Sequence, residues 1–265
     1  MSKIILGRYI PGNSTIYRMD PRGKIIGTFI YIILIFLANN WLTYSILIIF
    51  TLGAVLATGL RPKVYWDGIE ALIWLILFTS ILQLFFTSGG KIYWQWGILS
   101  ITQYGIQNSV YIFIRFVMII LLSTVLTLTT TSLQIADALT WLLTPLKYIK
   151  VPIEQISLVM AIALRFVPTL MDETVKIMNA QRARGVDFNS GGLIKRAKNI
   201  IPILVPLFIN SLTIALDLSV AMESRGYREN APRTHYRALK WSKYDWLNLA
   251  YFIALTALLL IFRTR

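Results

Sequence analysis

The chain has 265 residues, 56% of them apolar and only 14% charged, with a mean hydropathy of +0.64. That balance excludes an ordinary soluble domain and points to an integral membrane protein, so the formal net charge of +14 reads as positive-inside bias and attraction to anionic headgroups rather than as nucleic-acid binding. The absence of cysteine excludes a disulfide framework and any thiolate nucleophile or metal ligand, and the single histidine, His235, does not make a zinc site.

Residues 1–24 are polar and basic, running through Gly7-Arg8-Tyr9-Ile10-Pro11-Gly12-Asn13-Ser14 and Tyr17-Arg18-Met19-Asp20-Pro21-Arg22. The apolar core comes too late for a signal peptide, and Ala38-Asn39-Asn40 is a poor cleavage site. Asp20-Pro21 predicts a helix start, with Asp as N-cap and Pro at the first helical position. The first apolar run, 25–38, is short for a bilayer core of about 20 helical residues. A tight turn at Asn39-Asn40 leads to a second run, 41–60, closed by Arg61-Pro62-Lys63. A third span is expected over about 68–86, ending at Thr87-Ser88-Gly89-Gly90. The loop 91–108 carries one charge and several aromatics (Tyr93, Trp94, Trp96, Tyr104), the signature of an interfacial belt on the far side. A fourth span covers 110–128 and contains Arg115, placed either to snorkel to the interface or to face the bundle.

From 129 to 243 charges and prolines interrupt the apolar pattern every turn or two. If 154–184 is helical, Ile156, Val159, Met160, Ala163, Val167, Met171, Val175 and Met178 form one apolar stripe opposite a charged side. Such a strip lies along a membrane or partner surface better than it spans one. A second helix, 194–225, has a basic start, a charge-free middle over 200–216 with Pro202 and Pro206, and acids at Asp217 and Glu223. A basic loop with Arg228, Arg233, His235, Arg237, Lys240 and Lys243 precedes the last span, 246–262, which is followed by Arg263 and Arg265.

The fold class expected is therefore all-α: a polytopic membrane protein with about five spans and a cytoplasmic domain of long amphipathic helices. Residues 1–128 hold the N-terminal cytoplasmic segment and four spans, 129–245 the cytoplasmic helices, and 246–265 the final span. The Lys and Arg asymmetry puts the N-terminus and 129–245 in the cytoplasm.

Both long helices end in Arg-Gly: Ala183-Arg184-Gly185 and Ser224-Arg225-Gly226. Gly just past a helix end fits a left-handed cap, so each Arg sits in the last turn, where it either complements the helix dipole or reaches out to an acidic groove. No phosphate-binding loop, no His-Glu-x-x-His and no paired intramembrane carboxylates occur, so the chain is not read as an enzyme, and no metal or cofactor is expected in it. Spans without mid-membrane acids also lack the marks of a secondary transporter.

The paired Ala183-Arg184-Gly185 and Ser224-Arg225-Gly226 resemble the X-Arg-Gly pair of the transmembrane T components of energy-coupling-factor (ECF) importers. Tyr9-Ile10-Pro11-Gly12-Asn13-Ser14 and Met19-Asp20-Pro21-Arg22 look like that family's N-terminal segment, and the layout is similar over nearly the whole chain. The resemblance implies a non-catalytic coupling scaffold for uptake of vitamins or other micronutrients. It also implies that two ATPase subunits, which bind ATP and Mg, dock on these helices, at Ala183, Arg184, Gly185, Ser224, Arg225 and Gly226, and that a separate small membrane subunit captures the substrate. The stripe of Ile156, Val159, Met160, Ala163, Val167 and Met171 is expected to pack against that small substrate-binding membrane subunit or the bilayer surface, the alternative being ordinary packing against the second long helix. The alternative is a stand-alone carrier or channel whose basic region binds lipid.

Overall fold

The computed structural model describes residues 9–96, 99–188, 192–228 and 241–262. Gly7, Arg8, Gly191, Arg233, His235, Arg237, Lys240, Arg263 and Arg265 lie outside them. The described residues form nine α-helices and one short hairpin, so the all-α membrane class holds.

The chain divides into two units, Met1–Lys150 with Leu239–Arg265, and Val151–Ala238. In the first, a 3-10 turn, Thr15–Arg18, leads to α1 (Pro21–Leu37). Its start is as the sequence predicts: the Asp20 carboxylate accepts from the Arg22 amide and Pro21 occupies the first turn. Asn40 and Thr43 form a reciprocal capping box that starts α2 (Trp41–Thr58), and Gly59 ends it in a left-handed conformation, φ 68°. Tyr31, Ile35, Tyr44, Leu47 and Leu255 close a core between α1, α2 and the helices at Gln103–Thr129 and Lys243–Phe262.

Two expectations change here. The third span is not one helix but two, α3 (Pro62–Glu70) and α4 (Ile73–Phe86), bent by 59°. α3 carries Lys63, Asp67 and Glu70 and buries Tyr65, whereas α4 is almost wholly apolar; the two halves suit different surroundings, and the bend falls between them. The aromatic loop instead forms an antiparallel hairpin, β1 (Ile92–Trp96) and β2 (Leu99–Thr102). Thr102 then caps α5 (Gln103–Thr129) by accepting from the Gly105 amide at 3.0 Å, which starts that helix earlier than 110. Gly105 lies against the Leu84 carbonyl, so a side chain there would push α4 and α5 apart. Arg115 faces the bundle: it donates to the Tyr44 hydroxyl at 2.8 Å and stacks over Phe36.

α6 (Ser132–Leu143) opens with a Thr131–Gln134 capping box and packs against α1, burying Ala136 and Ala138. The last helix, α9 (Lys243–Phe262), packs on α1 and α2. Its carboxylate Asp245, 2% exposed, accepts from the amides of Asp20 and Ser242, both at 2.6 Å. Asp20 pairs with Arg22 at 3.0 Å, and Lys24 donates to the Thr129 carbonyl at 3.0 Å. Buried charge is tolerated when it is paired and hydrogen-bonded, and these two acids and two bases balance.

The second unit is a helical pair, α7 (Ile153–Ala183) and α8 (Leu193–Ser224). Among the described residues, five helices have the length and apolarity of a span: α2, α5, α7, α8 and α9. The number matches the expected five but the membership differs. α1 has only 17 residues, α3 and α4 pass only as a bent pair, and α7 and α8, expected to lie along a surface, qualify by composition.

Candidate functional site

The two Arg-Gly ends are built alike. In α7 the Gly185 amide donates to the Arg182 carbonyl at 2.9 Å and the Val186 amide to the Gln181 carbonyl at 3.0 Å. In α8 the Gly226 amide donates to the Glu223 carbonyl at 2.9 Å and the Tyr227 amide to the Met222 carbonyl at 3.0 Å. These are the two bonds of a Schellman cap, which satisfy carbonyls a helix end leaves open and require a left-handed residue after the cap. Gly185 (φ 87°) and Gly226 (φ 74°) supply it. Because the backbone satisfies itself, Arg184 and Arg225 are not needed as carbonyl caps. Both are exposed, and neither side chain has a hydrogen bond or ion pair among the described residues.

Their neighbours differ. Ala183 and Ser224 are the last residues of their helices, both exposed, and Ser224 turns its hydroxyl back to the Ala221 carbonyl. α7 and α8 run antiparallel: Leu158 and Ile162 of α7 line one cleft with Leu218 and Met222 of α8, while Gln181 reaches Pro202. The Arg-Gly ends therefore lie at opposite ends of the pair, roughly 40 Å apart at 1.5 Å per residue. The pair makes two separate sites rather than one.

At the first, two polar contacts fix the turn. Pro206 has no N–H to give the Pro202 carbonyl, and the Gln181 amide approaches that freed carbonyl at 3.5 Å. Asn199 donates to the Asp187 carbonyl at 2.6 Å. At the second, Arg225 and Gly226 border a cleft of about 490 Å³ that also includes Tyr227 and Arg228. Sequence reasoning missed both Gln181 and this cleft. A proline four residues after another in an apolar helix was the available signal for the first; the second depends on which face of α7 meets α8.

The six stripe residues share one flank of α7. Ile156, Val159 and Ala163 are exposed and Met160, Val167 and Met171 half-buried; none belongs to a core. α8 is barer still, with Leu204, Val205, Phe208, Ile209, Leu212 and Leu216 all at least half exposed.

A family model described as CbiQ, cobalt transport protein, matches residues 12–236. A protein of Lactobacillus helveticus named energy-coupling factor transporter transmembrane protein EcfT is 65% identical over 264 residues, covering 100% of this chain and 95% of its own length. Its namesake in Lacticaseibacillus paracasei is 51% identical, covering 99% of this chain and 100% of its own length. A third, from Listeria monocytogenes and named EcfT 1, is 49% identical over 100% of this chain and 99% of its own length.

Proposed function

This chain belongs to the CbiQ cobalt transport protein family, with relatives named as transmembrane proteins of energy-coupling factor transporters, and on that premise we propose that it couples two ATPase subunits to a separate substrate-binding membrane subunit. Arg184 and Arg225 each enter an acidic groove on one ATPase subunit, and the α7 stripe meets the substrate subunit. ATP and Mg are bound by the ATPase subunits, and the cargo, a vitamin or other micronutrient, by the substrate subunit. The observation that carries this reading is the matched pair of self-satisfied helix ends, each displaying an Arg with no partner among the described residues, at opposite ends of one helical hairpin. Two separated cations suit two copies of a similar partner, and the planar guanidinium makes bidentate bonds to carboxylates that Lys does not.

Co-purification of the whole transporter tests the assignment. The double variant Arg184→Ala, Arg225→Ala is expected to lose both ATPase subunits, whereas Val159→Glu loses the substrate subunit and keeps the ATPases. A double variant that retains both and transports at the parent rate would falsify the docking role. Loss of every partner from Val159→Glu would instead assign the stripe to the α7–α8 contact.

The same reading puts the N-terminus and the two Arg-Gly ends in the cytoplasm, motivated by the charge asymmetry of the loops. On intact cells an impermeant maleimide should label Ser100→Cys and not Asn179→Cys; the reverse pattern would invert the topology.

A further inference from the structure

A cavity of about 320 Å³ opens inside the first unit, independent of the docking sites and of the coupling reading. Thr28 and Tyr31 of α1, Phe50 and Ala54 of α2, Leu126 of α5 and Phe252 of α9 wall it, and the 3-10 turn at Thr15–Arg18 borders it. Its polar groups have turned away. The hydroxyls of Thr28, Thr51 and Thr129 each donate to the carbonyl four residues back in their own helix. The Tyr251 hydroxyl donates to the Phe50 carbonyl, and the Lys24 ammonium is held by Thr129 and Thr130. What remains facing inward is mostly carbon.

A buried water needs two to four polar partners, and an apolar cavity of roughly 150 Å³ stays dry and takes up small hydrophobic molecules. This cavity is larger, and it lies in a unit whose solvent is the bilayer. The other face of α2, with Ile49, Leu52 and Leu56 all at least half exposed, lies bare to hydrocarbon. Its inner face carries Gly53, Ala54 and Ala57, whose small side chains leave the space open. Thr15 of the 3-10 turn, Lys24 near the start of α1, and Tyr244 and Asn248 near the start of α9 add polar groups to the wall.

We propose that this cavity binds one acyl chain of a membrane phospholipid, threaded between α2 and α9 with its ester end towards Thr15 and Asn248. The chain replaces protein side chains that would otherwise join α9 to the bundle. α9 is held at one end by Asp245 on the Asp20 amide and at the other by Asn40, which donates to the Phe262 carbonyl at 3.0 Å. Between these ends α9 meets α1 where the Phe252 ring sits against Gly27 and α2 where Tyr251 reaches Phe50; the acyl chain fills the gap they leave.

The test uses the intact transporter reconstituted in liposomes containing a phosphatidylcholine with a diazirine on its acyl chain. After illumination, adducts are mapped by peptide mass spectrometry. Expected are adducts on Phe50, Leu126 and Phe252, which disappear in Ala54→Trp while those on the outward Leu56 persist. Ala57→Phe serves as a second filling variant should Ala54→Trp fail to assemble. Labelling of Leu56 without labelling of the three lining residues overturns the proposal, as does a filled variant whose lining residues are labelled as strongly as the parent.

Discussion

In the first unit Tyr31, Ile35, Leu47, Ile76 and Leu255 are sealed from solvent, and Asp20, Arg22, Lys24 and Asp245 are buried with partners. In the second, among the described residues, only Ile153 and Ile203 are buried, although α7 and α8 have 31 and 32 residues. One region spends its apolar residues on itself; the other displays them. A helix whose apolar face is left unpacked is stable only against another surface, a bilayer or a partner chain. The same residue types therefore carry different information in the two regions: in the first they specify the fold, in the second what the fold meets. Substitutions in the first should cost stability, and substitutions in the second should cost assembly.

The largest expected effect lies at Asp245. Removing one partner from a buried, hydrogen-bonded charge cluster typically costs about 3–5 kcal/mol, because it strands the opposite charge. Asp245→Ala leaves the Asp20 and Ser242 amides without an acceptor and the bases Arg22 and Lys24 in excess. The purified protein should melt markedly lower, and Asp245→Asn, which keeps an acceptor oxygen, should recover part of the loss. An unchanged melting temperature in Asp245→Ala would remove the cluster from the list of things that hold the first unit together.

Arg184 and Arg225 should behave in the opposite way. Truncating one member of a buried interfacial charge pair costs about 2–5 kcal/mol of binding, whereas a cation that only complements a helix dipole contributes no more than about 1 kcal/mol of stability. Each single alanine variant should weaken ATPase retention at an unchanged melting temperature, and Lys should rescue only in part. If either variant melts as low as Asp245→Ala, the line between the two regions is drawn in the wrong place.

Legibility in the sequence followed the same line. Local chemistry was readable wherever a few adjacent residues decide the outcome: the Asp20-Pro21 start of α1, the Asn40 turn, and the Arg-Gly ends with their left-handed glycines. The bend at Ala71-Leu72 was hidden because it falls on two apolar residues, and Gly68 and Glu70 just ahead of it read as the start of the span rather than as a break in it. The β1–β2 hairpin was hidden because its pairing is cross-strand, and the early start of α5 because it depends on the Thr102 cap. The Asp20–Asp245 contact joins residues 225 apart in sequence, which no local pattern contains. An acid directly ahead of the final apolar run was the one available hint. The stripe on α7 was legible as a pattern, but which flank meets α8 was not, since the helix offers Leu158 and Ile162 as well as Val159 and Met160.

The smallest expected effect gives the cleanest contrast, because the same substitution is made in both regions. Gly59 ends α2 at φ 68° and Gly226 follows α8 at φ 74°, and a Cβ at either would meet nothing within 4 Å. Alanine therefore brings backbone strain alone, about 1–2 kcal/mol for a non-glycine residue in the left-handed region. At Gly59 that strain is trapped. The preceding Thr58 is buried and shares a hydrogen bond of 2.7 Å with Tyr65, which packs with Ile16 and Val125, so the turn cannot relax without disturbing them. Gly59→Ala should lower the melting temperature and leave partner retention intact. At Gly226 little packs against the last turn, so that turn can unwind and relieve the strain at small cost to global stability. What unwinding loses is the aim of Arg225. Gly226→Ala should melt close to the parent while retaining less of one ATPase subunit. If it instead lowers the melting temperature as far as Gly59→Ala and holds both ATPase subunits fully, the end of α8 is part of a folded core and not a docking element.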